Sequence, residues 1–185
     1  LKGNYKNLKF LNLLDKNKPC LLVVGGSLGA KFINEKIWKN IDTLCKRFNV
    51  IHITGKNFNK NILKKNYIQL EYCSNFGDIL SLCDIAVSRA GSGAINEFKE
   101  LEIPMLLIPL SKKCSRGDQI ENAKYFASCG YADVLFEEDY DDKMFLIKLD
   151  NLIKNSEKFK KNMKKSKKND AKTQIYKILK ENELK

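Results

Sequence analysis

Ser88-Arg89-Ala90-Gly91-Ser92-Gly93-Ala94-Ile95-Asn96-Glu97 decides how this chain is read. The stretch follows a short apolar run, 83–87 broken by Asp84, and leads into a helical pattern. It is a strand-to-helix turn carrying two glycines, a serine and then a carboxylate. Such a turn aims backbone N–H groups and the positive end of a helix dipole at one point, which suits a phosphate. Glu97 falls about one turn into the helix, where a carboxylate cannot hold a phosphate. It can accept hydrogen bonds from sugar hydroxyls beside one. Amides and carboxylate together suggest a nucleotide diphosphate rather than a bare anion.

Outward from that turn, apolar runs alternate with helical patterns. Residues 20–24 form a continuous apolar run after Pro19, the mark of a strand buried on both faces. Phe32, Ile33, Ile37, Ile41 and Leu44 then recur at helical spacing. Further strands are expected at 50–54, 67–72, 84–88, 104–109 and 131–136. Helices are expected at 76–82, 92–101, 117–129 (stopped by Gly130), 141–154 and 157–183, the last with a break near 168–170. This alternation implies right-handed crossovers and a Rossmann-like α/β fold, a parallel sheet with helices on both faces. Ligands of such sheets bind beyond the carboxyl ends of the strands. Here those ends carry residues 25–30, 54–56, 73–74, 88–93 and 110–118. Residues 1–18 are irregular and polar and read as a linker or boundary segment, leaving 19–185 as the domain.

At 185 residues the chain is long enough for one domain with its own core. Formal net charge is +12, with Lys158, Lys160, Lys161, Lys164, Lys165, Lys167 and Lys168 clustered late in the chain. The cluster reads as a solvated helix face, or as attraction to an anionic membrane or nucleic acid. Six cysteines, at 20, 45, 73, 83, 114 and 129, form no C-x-x-C pair, and there is one histidine. No zinc spacing results, and no metal or cofactor is expected. Cysteines within apolar runs read as small buried hydrophobes in a reducing, cytosolic compartment. No apolar run is long enough to span a bilayer, so a membrane role would be peripheral.

Gly25-Gly26-Ser27-Leu28-Gly29-Ala30 is a second glycine-rich strand-to-helix turn. It is neither a P-loop nor G-x-G-x-x-G, and Thr54-Gly55-Lys56 stands where a dinucleotide site would place its ribose acid. A nicotinamide dehydrogenase is therefore disfavoured. Asp118 and Gln119 begin a helix after the long polar loop 111–117; side-chain amides there could read sugar hydroxyls, or Asp118 could serve only as a helix-start carboxylate. His52 lies inside a strand pattern, which favours a packed structural role over that of a general base. Arg89 could neutralise a phosphate or pair with a carboxylate of the fold. Phe76 and Tyr72 could stack on a base, with core packing the default for both.

Three segments, Gly25-Gly26-Ser27-Leu28-Gly29-Ala30, the 88–97 stretch, and Ser115-Arg116-Gly117-Asp118-Gln119 with Asn122-Ala123, occur in an order and at spacings that resemble the carboxyl-terminal half of the MurG family. These bacterial N-acetylglucosaminyltransferases convert lipid I to lipid II in peptidoglycan synthesis. The likeness runs from about Lys18 onward and includes Asp170-Ala171 before the last helix. The resemblance implies one half of a GT-B glycosyltransferase, the half that holds UDP-N-acetylglucosamine. It implies that Gly26, Ser27 and Gly29 face the diphosphate, and that Ser92, Gly93 and Ala94 offer it helix-start amides. It further implies that Glu97 holds the ribose, the Cys73 backbone reads the uracil edge, and Gln119 with Asp118 contacts the sugar. The family resembled here often has Gln where Asp118 stands, and acidic variants also occur.

By the same resemblance, the catalytic base, the lipid I acceptor site and the membrane-docking patch belong to an amino-terminal domain. The last helix would pack on that domain. The whole enzyme would be cytoplasmic and peripheral at the inner face of the cell membrane, with no nucleic-acid partner. Two other readings stand beside this one. The chain could be a non-catalytic UDP-sugar-binding subunit of a split glycosyltransferase docking on a membrane partner. On charge alone it could bind nucleic acid, though it offers no reading motif.

Overall fold

A computed structural model describes residues 3–56, 58, 60–111 and 117–167. Six parallel strands form one sheet: β1 (Cys20–Val24), β2 (Asn49–Ile53), β3 (Tyr67–Leu70), β4 (Ile85–Ser88), β5 (Met105–Leu107) and β6 (Ala132–Val134). Their order is β3-β2-β1-β4-β5-β6. Seven α-helices are described: α1 (Lys31–Lys39), α2 (Ile41–Arg47), α3 (Phe76–Leu80), α4 (Ser92–Glu100), α5 (Asp118–Ser128), α6 (Asp142–Lys154) and α7 (Ser156–Lys167).

Strand alternation divides the core in two. Leu21 and Val23 of β1 pack with Ile33, Ile37, Leu44, Phe145 and Leu149, which places α1, α2 and α6 on one face. Cys20, Leu22 and Val24 pack with Ile79, Ile95, Phe98, Phe126 and Met163, which places α3, α4, α5 and α7 on the other. Every residue of β1 and β2 is buried, as the unbroken apolar run of β1 requires of a strand covered on both sides.

Several boundaries differ from expectation, each for a local reason. The helical spacing from Phe32 to Leu44 is divided at Asn40, whose side-chain amide donates to the Lys36 carbonyl and to Asp142 of α6. A side chain that competes for backbone groups favours a helix end. The strand expected over 67–72 stops at Leu70, because its partner β2 ends at Ile53 and Gly55 turns the chain away with φ of 83°. Residues 3–18, expected as a linker or boundary segment, lie against the domain. The Asn4 N–H donates to Asp78 at 2.7 Å, the Asn49 amide donates to the carbonyls of Asp15 and Lys18, and Leu8, Phe10 and Leu14 cover the core. The expected break at 168–170 and the helix beyond it lie outside the described residues.

On the α1 face, His52 is fully buried. Its Nε2 lies 2.9 Å from Asn34 Oδ1, and its Nδ1 lies 2.9 Å from the Tyr67 hydroxyl. Because the Asn34 amide nitrogen donates to the Thr54 carbonyl, Asn34 Oδ1 must accept. That assigns the imidazole proton to Nε2 and makes Nδ1 accept from Tyr67. Trp38 Nε1–H donates to Gln69 at 3.1 Å and completes the group. His52 is thus a structural residue. Burial pushes its pKa down from 6.5 to about 3. Between those values the unfolded chain binds the proton and the folded chain does not. Stability from this residue is complete above pH 6.5 and falls as pH drops toward 3, by about 1.4 kcal/mol per unit. Denaturant titrations at about pH 7.5 and about pH 4.5 should show that slope, and a His52→Gln variant should lose most of it. Equal slopes would place the acid sensitivity elsewhere.

Candidate functional site

In a sheet ordered 3-2-1-4-5-6, the chain leaves β1 toward one face and β4 toward the other, opening a crevice between their carboxyl ends. The turn after β1 lies on one side of that crevice and the turn after β4 on the other.

The first turn is closed by Gly29 N–H donating to the Gly26 carbonyl at 3.0 Å, with Ser27 and Leu28 at its tip. Leu28 is 81% exposed. Gly29 has φ of 78°, and a Cβ built there would stand 2.0 Å from the Thr54 carbonyl oxygen. The turn therefore rests backbone-to-backbone on the end of β2. Gly26 also has positive φ, but a Cβ there meets nothing within 4 Å.

The second turn leads into α4 through Gly91, and no side chain caps that helix. Ala30 likewise precedes α1 without a side-chain cap. Neither α1 nor α4 carries an acidic residue in its first turn. Each other described α-helix does: Asp42, Asp78, Asp118 with Glu121, Asp142 and Glu157. The two helix ends with uncompensated N–H groups and positive dipole charge are thus the two that flank the crevice.

Two clefts share this crevice and meet at Gly26 and Ser27. One, of about 310 Å³, has an apolar floor of Val24, Ile53 and Phe76, a rim of Glu71, Tyr72 and Cys73, and a wall of Gly93, Ala94 and Glu97. Its apolar lining and few polar groups suit a small organic ligand. The other, of about 560 Å³, lies between the 25–32 segment and Arg89, Leu110, Gln119 and Glu137.

Most of the candidate residues come together here: Gly26, Ser27, Gly29, Cys73, Arg89, Gly93, Ala94, Glu97 and Gln119 all line one cleft or both. Ser92 and Asp118 do not. Each is exposed at the first position of its helix, and Asp118 fits the helix-start role. Arg89 requires a correction as a phosphate ligand. It is 9% exposed, donates to the Ile108 carbonyl at 3.0 Å and pairs with Glu137 at 2.5 Å, so its charge is already met within the fold. Gln119 Oε1 accepts from Leu110 N–H at 3.1 Å, which leaves its amide nitrogen as the group able to face a ligand. Tyr72 is not core: it is 67% exposed. Burial raises the Cys73 thiol, which suits a neutral lining residue better than a nucleophile. Ser115, Arg116 and Asp170-Ala171 lie outside the described residues.

Sequence reasoning missed Asn34 and Glu137. Glu137 follows β6 at the same carboxyl edge, so the edge rule alone would have found it. Asn34 sits between Ile33 and Ile37 on a buried helix face, a polar residue where the pattern asks for an apolar one.

A family model described as Glycosyltransferase family 28 C-terminal domain matches residues 20–179. A curated relative from Clostridium botulinum, UDP-N-acetylglucosamine--N-acetylmuramyl-(pentapeptide) pyrophosphoryl-undecaprenol N-acetylglucosamine transferase, is 45% identical over 97% of this chain and 52% of its own length. A relative of the same name from Clostridium tetani is 48% identical over 89% of this chain and 47% of its own. The chain spans about half the length of the curated relatives it matches. Among solved structures, Acinetobacter baumannii MurG aligns with TM-score 0.66 and 23% identity, covering 80% of this chain and 45% of that one. The glycosyltransferase VinC in complex with DTDP aligns with TM-score 0.60 and 17% identity, covering 81% and 36%. These structural likenesses are likenesses of fold.

The close approach at the first turn is testable. Gly29→Ala should destabilise the chain by roughly 2 kcal/mol or more, because the Cβ collides with backbone at a positive φ. Gly26→Ala carries only the conformational strain, about 1 kcal/mol. Urea denaturation of both variants measures the difference, and similar losses would overturn the packing argument.

Proposed function

The chain belongs to the glycosyltransferase family 28 C-terminal domains and has the Rossmann-like fold of one half of a GT-B glycosyltransferase; on that premise we propose that it is the donor-binding half of an enzyme transferring N-acetylglucosamine from UDP-N-acetylglucosamine to lipid I. The observation that carries this reading is the pair of uncompensated helix ends, α1 and α4, flanking one crevice with Glu97 set one turn inside it.

In this reading the uracil and ribose occupy the smaller cleft. The backbone near Cys73 meets the uracil edge, and the Glu97 carboxylate accepts hydrogen bonds from the ribose hydroxyls. The diphosphate bridges the two clefts at Gly26 and Ser27, within reach of the amides of Gly93 and Ala94. The sugar extends into the larger cleft toward the Gln119 amide.

Transfer breaks the bond between the anomeric carbon and the diphosphate oxygen, so UDP departs with growing negative charge. Amides and helix ends fixed in advance stabilise that charge more than they stabilise the bound donor, which is how they lower the barrier. The acceptor hydroxyl loses a proton to a base. We place that base, the acceptor site and peripheral membrane contact on the half that the longer relatives have beyond this match. The relatives' names, which specify an undecaprenol-linked acceptor, support the choice of acceptor. No helix among the described residues is long and apolar enough to cross a membrane.

Calorimetric titration tests the donor site directly. UDP-N-acetylglucosamine should bind more tightly than UDP-glucose, and Glu97→Ala should weaken uridine nucleotides about 10- to 100-fold while the fold is kept, the scale of hydrogen bonds to a charged group. Absence of uridine nucleotide binding would overturn the reading. Normal binding by Glu97→Ala would overturn the ribose assignment.

A further inference from the structure

The buried polar group on the α1 face has no place in the chemistry above, yet it ends at the nucleotide turn. Asn34 holds the Thr54 carbonyl with its amide nitrogen at 2.9 Å and the His52 Nε2–H with its oxygen at 2.9 Å. Tyr67 holds the other side of the His52 ring at 2.9 Å. The same Thr54 carbonyl is the atom against which Gly29 rests. One side chain therefore joins helix α1, the end of β2 and the turn that carries Gly26 and Ser27.

We propose that Asn34, oriented by His52 and Tyr67, is a positioning residue that fixes the 25–30 turn for a nucleoside diphosphate. The inference rests on the donor-site reading for its ligand. The geometry makes the effect selective. The network lies on the α1 face, whereas Val24, Ile53 and Phe76, the floor of the smaller cleft, pack with the opposite core. Loosening Asn34 shifts the turn that meets phosphate and leaves the surface that meets the nucleoside. A network satisfied at every described position, with the imidazole held neutral, also keeps a positive charge from forming behind the turn.

The test uses the 185-residue chain with three variants, Asn34→Ala, Tyr67→Phe and His52→Gln. Hydrogen exchange of the Gly29 amide, which donates to Gly26, reports the turn without any ligand. Exchange of the Leu107 amide in β5 reports the fold. Asn34→Ala should accelerate Gly29 and spare Leu107, and Tyr67→Phe, which removes one hydroxyl, should do the same to a smaller degree. His52→Gln, able to donate to Asn34 and accept from Tyr67, should retain most of the protection. For ligands, Asn34→Ala should weaken UDP about tenfold and leave uridine within about twofold. Unchanged Gly29 exchange overturns the positioning role whether or not nucleotides bind. Faster exchange with UDP and uridine weakened equally overturns the selective effect on the diphosphate. Failure of the unaltered chain to bind UDP or uridine condemns the donor site instead, and the exchange data still decide the positioning role.

Discussion

The contact between Gly29 and the Thr54 carbonyl is the constraint from which the rest of the site follows. Two backbone segments meet with no side chain between them, and only glycine permits that approach at positive φ. The contact anchors the turn after β1 to the end of β2. That leaves Ser27 and Gly26 on the open side, facing the crevice where strand order reverses. A bulkier residue would push the turn away from the sheet and carry the start of α1 with it.

The electrostatics of the crevice arise from omission as much as from charge. α6 shows what a helix start gains from a conventional cap: Asp141 accepts from the Met144 N–H at 2.9 Å. Such caps contribute about 0.5–2 kcal/mol. α1 and α4 forgo both the cap and the first-turn acid, so their N–H groups stay available to a ligand. Arg89, the arginine lining the crevice among the described residues, adds little net charge, because Glu137 neutralises it. What remains for a diphosphate is a set of oriented dipoles, with Lys31 in the lining of the larger cleft. Dipoles of this kind require no reorganisation when charge moves onto a leaving group.

Two polar groups buried near the crevice serve different ends. The Arg89–Glu137 pair, with the bond to the Ile108 carbonyl, ties the ends of β4, β5 and β6 together. The Asn34–His52–Tyr67 group ties α1 to β2 and β3. Between them they brace the carboxyl edge of the sheet on either side of β1. In the first, opposite charges meet, and in the second, donors are matched to acceptors, which is what makes burial of polar atoms tolerable.

Much of the fold was legible in the chain. The apolar run at 20–24 read as a doubly buried strand because parallel sheets leave no solvated face, 50–54 and 84–88 read as strands, and glycine turns marked where β1 and β4 hand over to their helices. The residues of the crevice were legible for the same reason: topology puts every strand's carboxyl end on one edge. Pairing was not legible. Nothing local says that Arg89 will meet Glu137, that Asn34 will reach past its helix to Thr54, or that Tyr72 will stand exposed. Nor does local pattern say that residues 3–18 will lie on the domain. Periodicity and turn chemistry are properties of neighbours along the chain, and they determined the elements and their edge. Partners separated by tens of residues are chosen by the space and unmet hydrogen bonds that remain once the sheet has closed, and only the tertiary structure contains those.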